Sequence, residues 1–252
     1  MKRLYVLTLV LVLSSCNSGG SSGGNDCTTE TADCKFSFET YDDFNSGDSI
    51  DETRWYIDGM DAQGSVSLGA KAVVANAIKI DSTQAKKGIW GKTKIATSAK
   101  SAFQAKMTLV DQTGDAVSGG ELRFALPLKD TTNVLNTGIN VYPDGRVFYF
   151  VDTYDESTDN STAISDGLLV ESSAFAGTAN TVTIGLSDTD LLLCVDSIPC
   201  TSVALTTVEV DSTENWRWYS IRARVKNHSD ATGEQTGQVD VIIDDVKTGS
   251  AK

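Results

Sequence analysis

From Lys35 onward, apolar residues recur with a period of two, not with the three-to-four spacing of a helix. Phe103, Ala105, Met107 and Leu109 alternate with Gln104, Lys106 and Thr108. Leu122, Phe124, Leu126 and Leu128 stand opposite Glu121, Arg123 and Ala125, and Val182, Ile184 and Leu186 opposite Thr181 and Thr183. Successive side chains of a strand point to opposite faces, so each segment predicts an antiparallel strand with one face in a core. Val141-Tyr142-Pro143-Asp144-Gly145-Arg146-Val147 sets a Pro-Asp-Gly turn between apolar runs and predicts a hairpin. Residues 215–225 and 238–246 read as a further pair of strands across a polar loop, and no stretch patterns as a three-turn amphipathic helix. Many short strands can bury their apolar faces by stacking two twisted sheets. The expected fold is therefore all-β, a two-sheet antiparallel jelly-roll sandwich.

The amino terminus breaks this pattern. Lys2 and Arg3 precede an apolar stretch from Leu4 to Leu13 and then small residues. That stretch is shorter than the roughly 20 apolar residues a membrane-spanning helix needs, and it predicts a cleaved signal peptide over residues 1–15. Leu13-Ser14-Ser15-Cys16 resembles the bacterial lipobox. The resemblance implies cleavage before Cys16, acylation of its thiol and amine, and anchoring in a lipid membrane, with each buried methylene contributing about 0.8 kcal/mol. Asn17, where an aspartate would imply retention in the inner membrane, implies the outer membrane or cell surface. Asn17 to Asp26 reads NSGGSSGGND, a flexible tether with nothing apolar to bury. The expected organisation is a leader over 1–15, a lipidated cysteine, tether and Cys27/Cys34 segment over 16–34, and one sandwich domain over 35–252.

Charge and cysteine content narrow the partners. The chain has 252 residues, with 21 Lys+Arg against 34 Asp+Glu and a net charge of −13. Loss of Lys2 and Arg3 with the leader leaves 19 basic against 34 acidic residues, a net of −15. A field of that sign excludes nucleic acid as the expected partner. The single histidine, His228, excludes metal centres that need two imidazoles. With Cys16 acylated, Cys27, Cys34, Cys194 and Cys200 remain. In an oxidising compartment they read as two short-loop disulfides; three connectivities exist, and spacing favours Cys27 with Cys34 and Cys194 with Cys200.

The segment Asp42-Asp43-Phe44, continuing through Asp51 to Trp55, resembles the opening of concanavalin A-like lectin/glucanase domains. Residues 216–225 and 239–246 are similar to the closing strands of laminin G-like sandwiches. The resemblance implies the jelly-roll fold and a superfamily of lectins, glycosidases, lyases and adhesion modules, so function has to come from the site.

Glu209-Val210-Asp211-Ser212-Thr213-Glu214 has the Glu-x-Asp-x-x-Glu spacing of family-sixteen glycoside hydrolases. That resemblance implies Glu209 as nucleophile, Glu214 as acid/base and Asp211 as their modulator. The intervening residues read instead as a polar turn. Gly120-Glu121-Leu122-Arg123 resembles the Glu-Leu-Arg of alginate lyases, without the Gln-x-His and Tyr-x-Lys motifs of such enzymes. In the strand from Trp216 to Val225, Tyr219, Ile221, Ala223 and Val225 form the core face. Trp216, Trp218, Arg222 and Arg224 then fall on the other face. Indoles stack on sugar rings and guanidinium forks pair with carboxylates or sulfates, so these four residues with Glu121 and Arg123 predict a polysaccharide groove. The competing reading is tryptophans covering a loop and arginines paired with surface aspartates. No cofactor is expected beyond a structural calcium, for which Asp152, Asp155, Asp159 and Asp244 are the candidates. The expectation is a membrane-anchored extracytoplasmic lipoprotein that binds carbohydrate. Its rivals are a glycoside hydrolase or polysaccharide lyase of the same superfamily and an adhesion module that binds protein.

Overall fold

The computed structural model describes residues 30–252, less residues 46, 61–62, 82–83, 96–99, 130, 172–175, 197, 217 and 230. The leader, Cys16, the tether and Cys27 lie outside the described residues. One short helix, α1 (Ala32–Lys35), precedes β1 (Phe36–Asp42), β2 (Trp55–Met60), β3 (Gln63–Leu68), β4 (Val73–Lys79) and β5 (Gln84–Gly91). Then follow β6 (Ser101–Gly114), β7 (Val117–Pro127), β8 (Asn133–Val141), β9 (Val147–Asp155) and β10 (Asn160–Val170). The chain ends with β11 (Ala179–Leu186), β12 (Asp190–Val195), β13 (Thr201–Ala204), β14 (Trp218–Lys226) and β15 (Gly237–Ala251).

These strands form two antiparallel sheets. The eight-stranded sheet runs β13-β12-β11-β6-β15-β4-β3, with β1 also paired to β15, and the seven-stranded sheet runs β10-β9-β8-β7-β14-β5-β2. The two-sheet jelly-roll sandwich expected from the alternation is what the chain adopts. Phe103, Ala105 and Met107 of β6 and Leu122, Phe124 and Leu126 of β7 are fully buried, and all six belong to one core. The hairpin at Pro143-Asp144-Gly145 joins β8 to β9 with Val141 opposite Val147, and Gly145 takes a φ of +85° that favours glycine.

Two expectations are corrected. Residues 215–225 and 238–246 do form strands, but β14 lies in the seven-stranded sheet and β15 in the eight-stranded one, so they face each other across the core and do not pair. Trp216 does not share a face with Trp218. The strand begins at Trp218, and Trp216, whose amide donates to the Ile95 carbonyl, turns into the core and stacks on Phe124 at 4.5 Å and 18°.

The opening segment acquires a physical reason. Asp42 is buried, accepting the Trp55 indole N–H at 2.8 Å and the Phe44 amide at 2.9 Å. Trp55 in turn meets Tyr41 and Tyr219 edge to face. The Cys194–Cys200 disulfide is present, clipping the end of β12 to the start of β13. Cys34 is also disulfide-bonded, while its expected partner, Cys27, lies outside the described residues.

Emptying a fully packed aromatic site in a core costs about 3–5 kcal/mol. Trp216→Ala should therefore lower unfolding free energy by about that much in a denaturant titration, and Trp218→Ala, which is half-buried, by less than half as much.

Candidate functional site

The face of the seven-stranded sheet turned away from the core is set by the same alternation. With Leu122, Phe124 and Leu126 inward on β7, Glu121 and Arg123 point outward; with Tyr219, Ile221 and Ala223 inward on β14, Trp218, Ser220, Arg222 and Arg224 do so. Register then sets Arg222 opposite Glu121 and Ser220 opposite both Arg123 and Trp90. On the far side, β8 and β9 add Asn136, Asn140, Phe148, Phe150 and Asp152. Gly138 is required here: a Cβ at that position would stand 2.4 Å from the Phe150 ring.

Glu121 is fully buried and forms the centre of this face. Arg222 donates from Nε to its Oε1 at 2.8 Å and also from Nη2, and Arg224 donates from Nη1 to Oε2 at 2.6 Å. Burial pushes the Glu121 carboxyl up, but Arg222, then Arg224, Arg123 and Lys86, outweigh it and hold the group below the ordinary carboxylate range. Burial pushes the Arg222 guanidinium down to about 10, which leaves it charged at neutral pH. Lys86, also buried, is pushed down to about 7 by desolvation and then by the charge of Arg222.

The cations are stacked as well as paired. Arg222 lies 5.0 Å from the Trp90 ring centre, Trp90 lies 6.3 Å from Trp218, and Arg123 lies 4.8 Å from Trp218 and 5.8 Å from Phe150. A ladder of cations and aromatic faces, Arg222, Trp90, Trp218, Arg123 and Phe150, thus crosses β5, β14, β7 and β9. Arg123 donates from Nε to Asn136 Oδ1 at 2.7 Å, and Asn136 Nδ2 donates to Asp152 at 2.6 Å. Burial pushes the Asp152 carboxyl above its ordinary value.

Beside this ladder opens a cavity of about 810 Å³ lined by Arg123, Asn136, Arg224 and Lys226 together with Tyr142, Phe148, Phe150, Asp152 and Asp166. His228 sits at its rim. A groove with aromatic faces, amide groups and charged ends can hold a sugar chain by stacking, hydroxyl hydrogen bonds and ion pairing.

Of the predicted binding residues, Arg123 and Arg224 line the cavity, whereas Glu121 and Arg222 are buried beneath it and Trp218 packs on Arg123 and Trp90. Trp216 is excluded by its place in the core. The arginines pair with buried Glu121, not with surface aspartates, and Glu121 pairs with Arg222 and Arg224, not with its neighbour Arg123. Sequence reading missed Asn136, Tyr142, Phe148 and Phe150. The available signal was Phe148-Tyr149-Phe150-Val151, apolar on both faces of one strand.

The carboxylates of the hydrolase-like motif lie elsewhere. Glu209 is exposed and pairs with Lys129 at 2.8 Å, Asp211 accepts from the Thr213 amide and hydroxyl, and none of Glu209, Asp211 and Glu214 lines the groove. On β7, in the centre of the sheet, Glu121 is followed at the same spacing by Arg123 and Leu126. Asp155 accepts from Ser157 and Thr158, Asp159 from the Tyr154 hydroxyl, and Asp244 from the Asp245 amide. Asp152 bonds to Asn136, so the four calcium candidates have separate hydrogen-bond partners, and no group of three or more His, Cys, Asp or Glu side chains converges among the described residues.

No protein-family model and no curated protein sequence matches the chain. Solved structures do. The chain is similar to a protein described among endo-acting O-glycanases of the human gut microbiota, with a TM-score of 0.57, 13% identity and coverage of 84% of this chain and 98% of that one. It is similar to an endo-1,3-β-glucanase (laminarinase) catalytic domain from Thermotoga petrophila, with a TM-score of 0.52, 10% identity and coverage of 86% and 99%. A GlcNAcα1-4Gal-releasing endo-β-galactosidase from Clostridium perfringens matches with a TM-score of 0.56, 11% identity and coverage of 86% and 63%. At these identities the likeness establishes the fold.

Removing one partner of a buried ion pair strands the other, typically at about 3–5 kcal/mol, whereas replacing both by apolar groups is often neutral. Glu121→Gln should lower stability by about that amount in a denaturant titration, and Glu121→Leu combined with Arg222→Met should recover most of it.

Lys86 yields a pH prediction. Below about pH 7 it is protonated in folded and unfolded chains alike, and its burial then opposes folding. Between about pH 7 and its ordinary value of 10.5 the folded chain sheds the proton first, so the unfolded chain binds more protons and stability rises with pH. The stability gained by Lys86→Met should therefore be largest below pH 7 and shrink steadily toward pH 10, as read from melts across that range.

Proposed function

We propose that the chain is a carbohydrate-binding protein whose site is the groove on the seven-stranded sheet, displayed outside the cytoplasm on a lipid anchor at Cys16. The observation that carries the reading is the juxtaposition of Phe148, Phe150 and Tyr142 with Arg123, Asn136 and Arg224 around one open cavity. Stacking platforms beside planar polar forks suit a ring bearing hydroxyls. The fold neighbours, which by their own descriptions act on glucans, mucin O-glycans and galactosides, support the same class of ligand.

Binding is favoured over cleavage because Glu121 is held ionised under two arginines and cannot approach a sugar. Retaining hydrolysis needs two carboxyls about 5 to 5.5 Å apart flanking the scissile bond. A second reading has a specific observation behind it: Asp152, whose carboxyl is pushed up by burial, and Asp166 both line the groove, the combination of a proton donor and a base that a glycoside hydrolase uses.

Calorimetric titration of the full chain against a polysaccharide panel, with assays for new reducing and unsaturated sugar ends, separates these readings. Binding without product is expected. Phe150→Ala should weaken it by about tenfold, the worth of one stacked ring, and Glu209→Gln should leave it unchanged. Wild-type affinity in both Phe148→Ala and Phe150→Ala would place the site elsewhere. Product formation that Asp152→Asn abolishes would establish the enzyme.

A further inference from the structure

We infer that the groove takes an acidic glycan, a polymer whose repeat carries carboxylates or sulfate esters, with its anions on Arg224 and Lys226 at one position and on Arg123 at another. This deepens the carbohydrate-binding reading and rests on it.

The charge on this face runs against that of the chain. In a protein of net charge −13, Lys86, Arg123, Arg222, Arg224 and Lys226 share one sheet face with Glu121, Asp152 and Asp166. Asp144, also at the cavity, is neutralised by Arg146 at 2.6 Å. Glu121 is fully engaged by Arg222 and Arg224, so its charge is spent inside the cluster. Arg123 has only the neutral Asn136 amide as its hydrogen-bond acceptor, and Lys226 forms no ion pair among the described residues.

Donor capacity is also left over. Arg222 Nη1 and Arg224 Nε are buried and have no acceptor among the described residues. Charged donors left without an acceptor in a protein interior cost more than neutral ones, and an anion at the groove would supply one.

Spacing selects a polymer over a single acidic sugar. Arg224 lies opposite Gly119 on β7 and Arg123 four residues farther along the same strand, so the backbone positions that carry the two cations are about 13 Å apart by strand rise. The aromatic wall of Phe148 and Phe150 runs beside them, and Asp152, on the same strand, and Asp166, paired with Phe150, can accept sugar hydroxyls.

The test uses the full chain in calorimetry against matched pairs: κ-carrageenan with the same polymer desulfated, and polygalacturonate with its methyl ester. The acidic member of at least one pair should bind about tenfold or more tighter than its neutral counterpart at low salt, and should weaken as sodium chloride is raised. Arg224→Ala, Arg123→Gln and the more exposed Lys226→Ala should each reduce acidic binding about fivefold or more, with unchanged melting for at least Lys226→Ala. Neutral members bound as tightly as acidic ones, or substitutions that weaken both equally, overturn the acidic-ligand inference and leave carbohydrate binding standing. If no polysaccharide binds, the carbohydrate reading falls and this inference with it.

Discussion

A carboxylate buried in a sheet face and clasped by two guanidinium groups is the constraint on which the rest of this site depends. Glu121 could not remain charged alone at zero exposure; Arg222 and Arg224 make it possible, and it in turn holds them against the sheet. Once Arg222 is fixed, Trp90 has a cation to stack on, Trp218 packs beside Trp90, and Arg123 lies over Trp218. The order of the face follows from one cross-strand pair.

That arrangement also determines what the face can do. Glu121, at the centre of the sheet, is held ionised and out of reach, with Arg123 two residues on and Leu126 five residues on. What remains accessible is an arginine- and amide-lined wall facing aromatic rings. Such a surface has the chemistry that the proposed carbohydrate ligand requires, and the jelly-roll fold beneath it serves as a rigid platform, each strand delivering a side chain to the groove at every second position.

Alternation made the sandwich legible because each strand has one buried face. The same parity puts Glu121 and Arg123 on the non-core face of one strand and Arg222 and Arg224 on that of another, and the β7–β14 pairing brings the two together. Parity failed at Trp216 because it was counted back past the true start of β14, into a segment whose backbone bonds to Ile95 instead of continuing the ladder. Adjacency in sequence suggested that the last two strands pair, but a jelly roll sends them to opposite sheets, where side-chain packing replaces hydrogen bonding between them. Phe148 and Phe150 went unrecognised as a binding wall because an apolar residue in a strand reads first as core. Their partner Gly138, which makes room for the Phe150 ring, shows its purpose only across the sheet. Burial of Glu121 was equally out of reach, since no sequence pattern reports which of two faces of a charged strand is covered.

The most direct test of the account is a crystal structure of the full chain with a bound acidic oligosaccharide. The account places sugar rings against Phe148 and Phe150, with anionic oxygens about 3 Å from Arg224 and Arg123 and Glu121 still clasped by Arg222. A ligand seated outside this groove, or a Glu121 carboxyl released from Arg222 and turned toward an anomeric carbon, would contradict it.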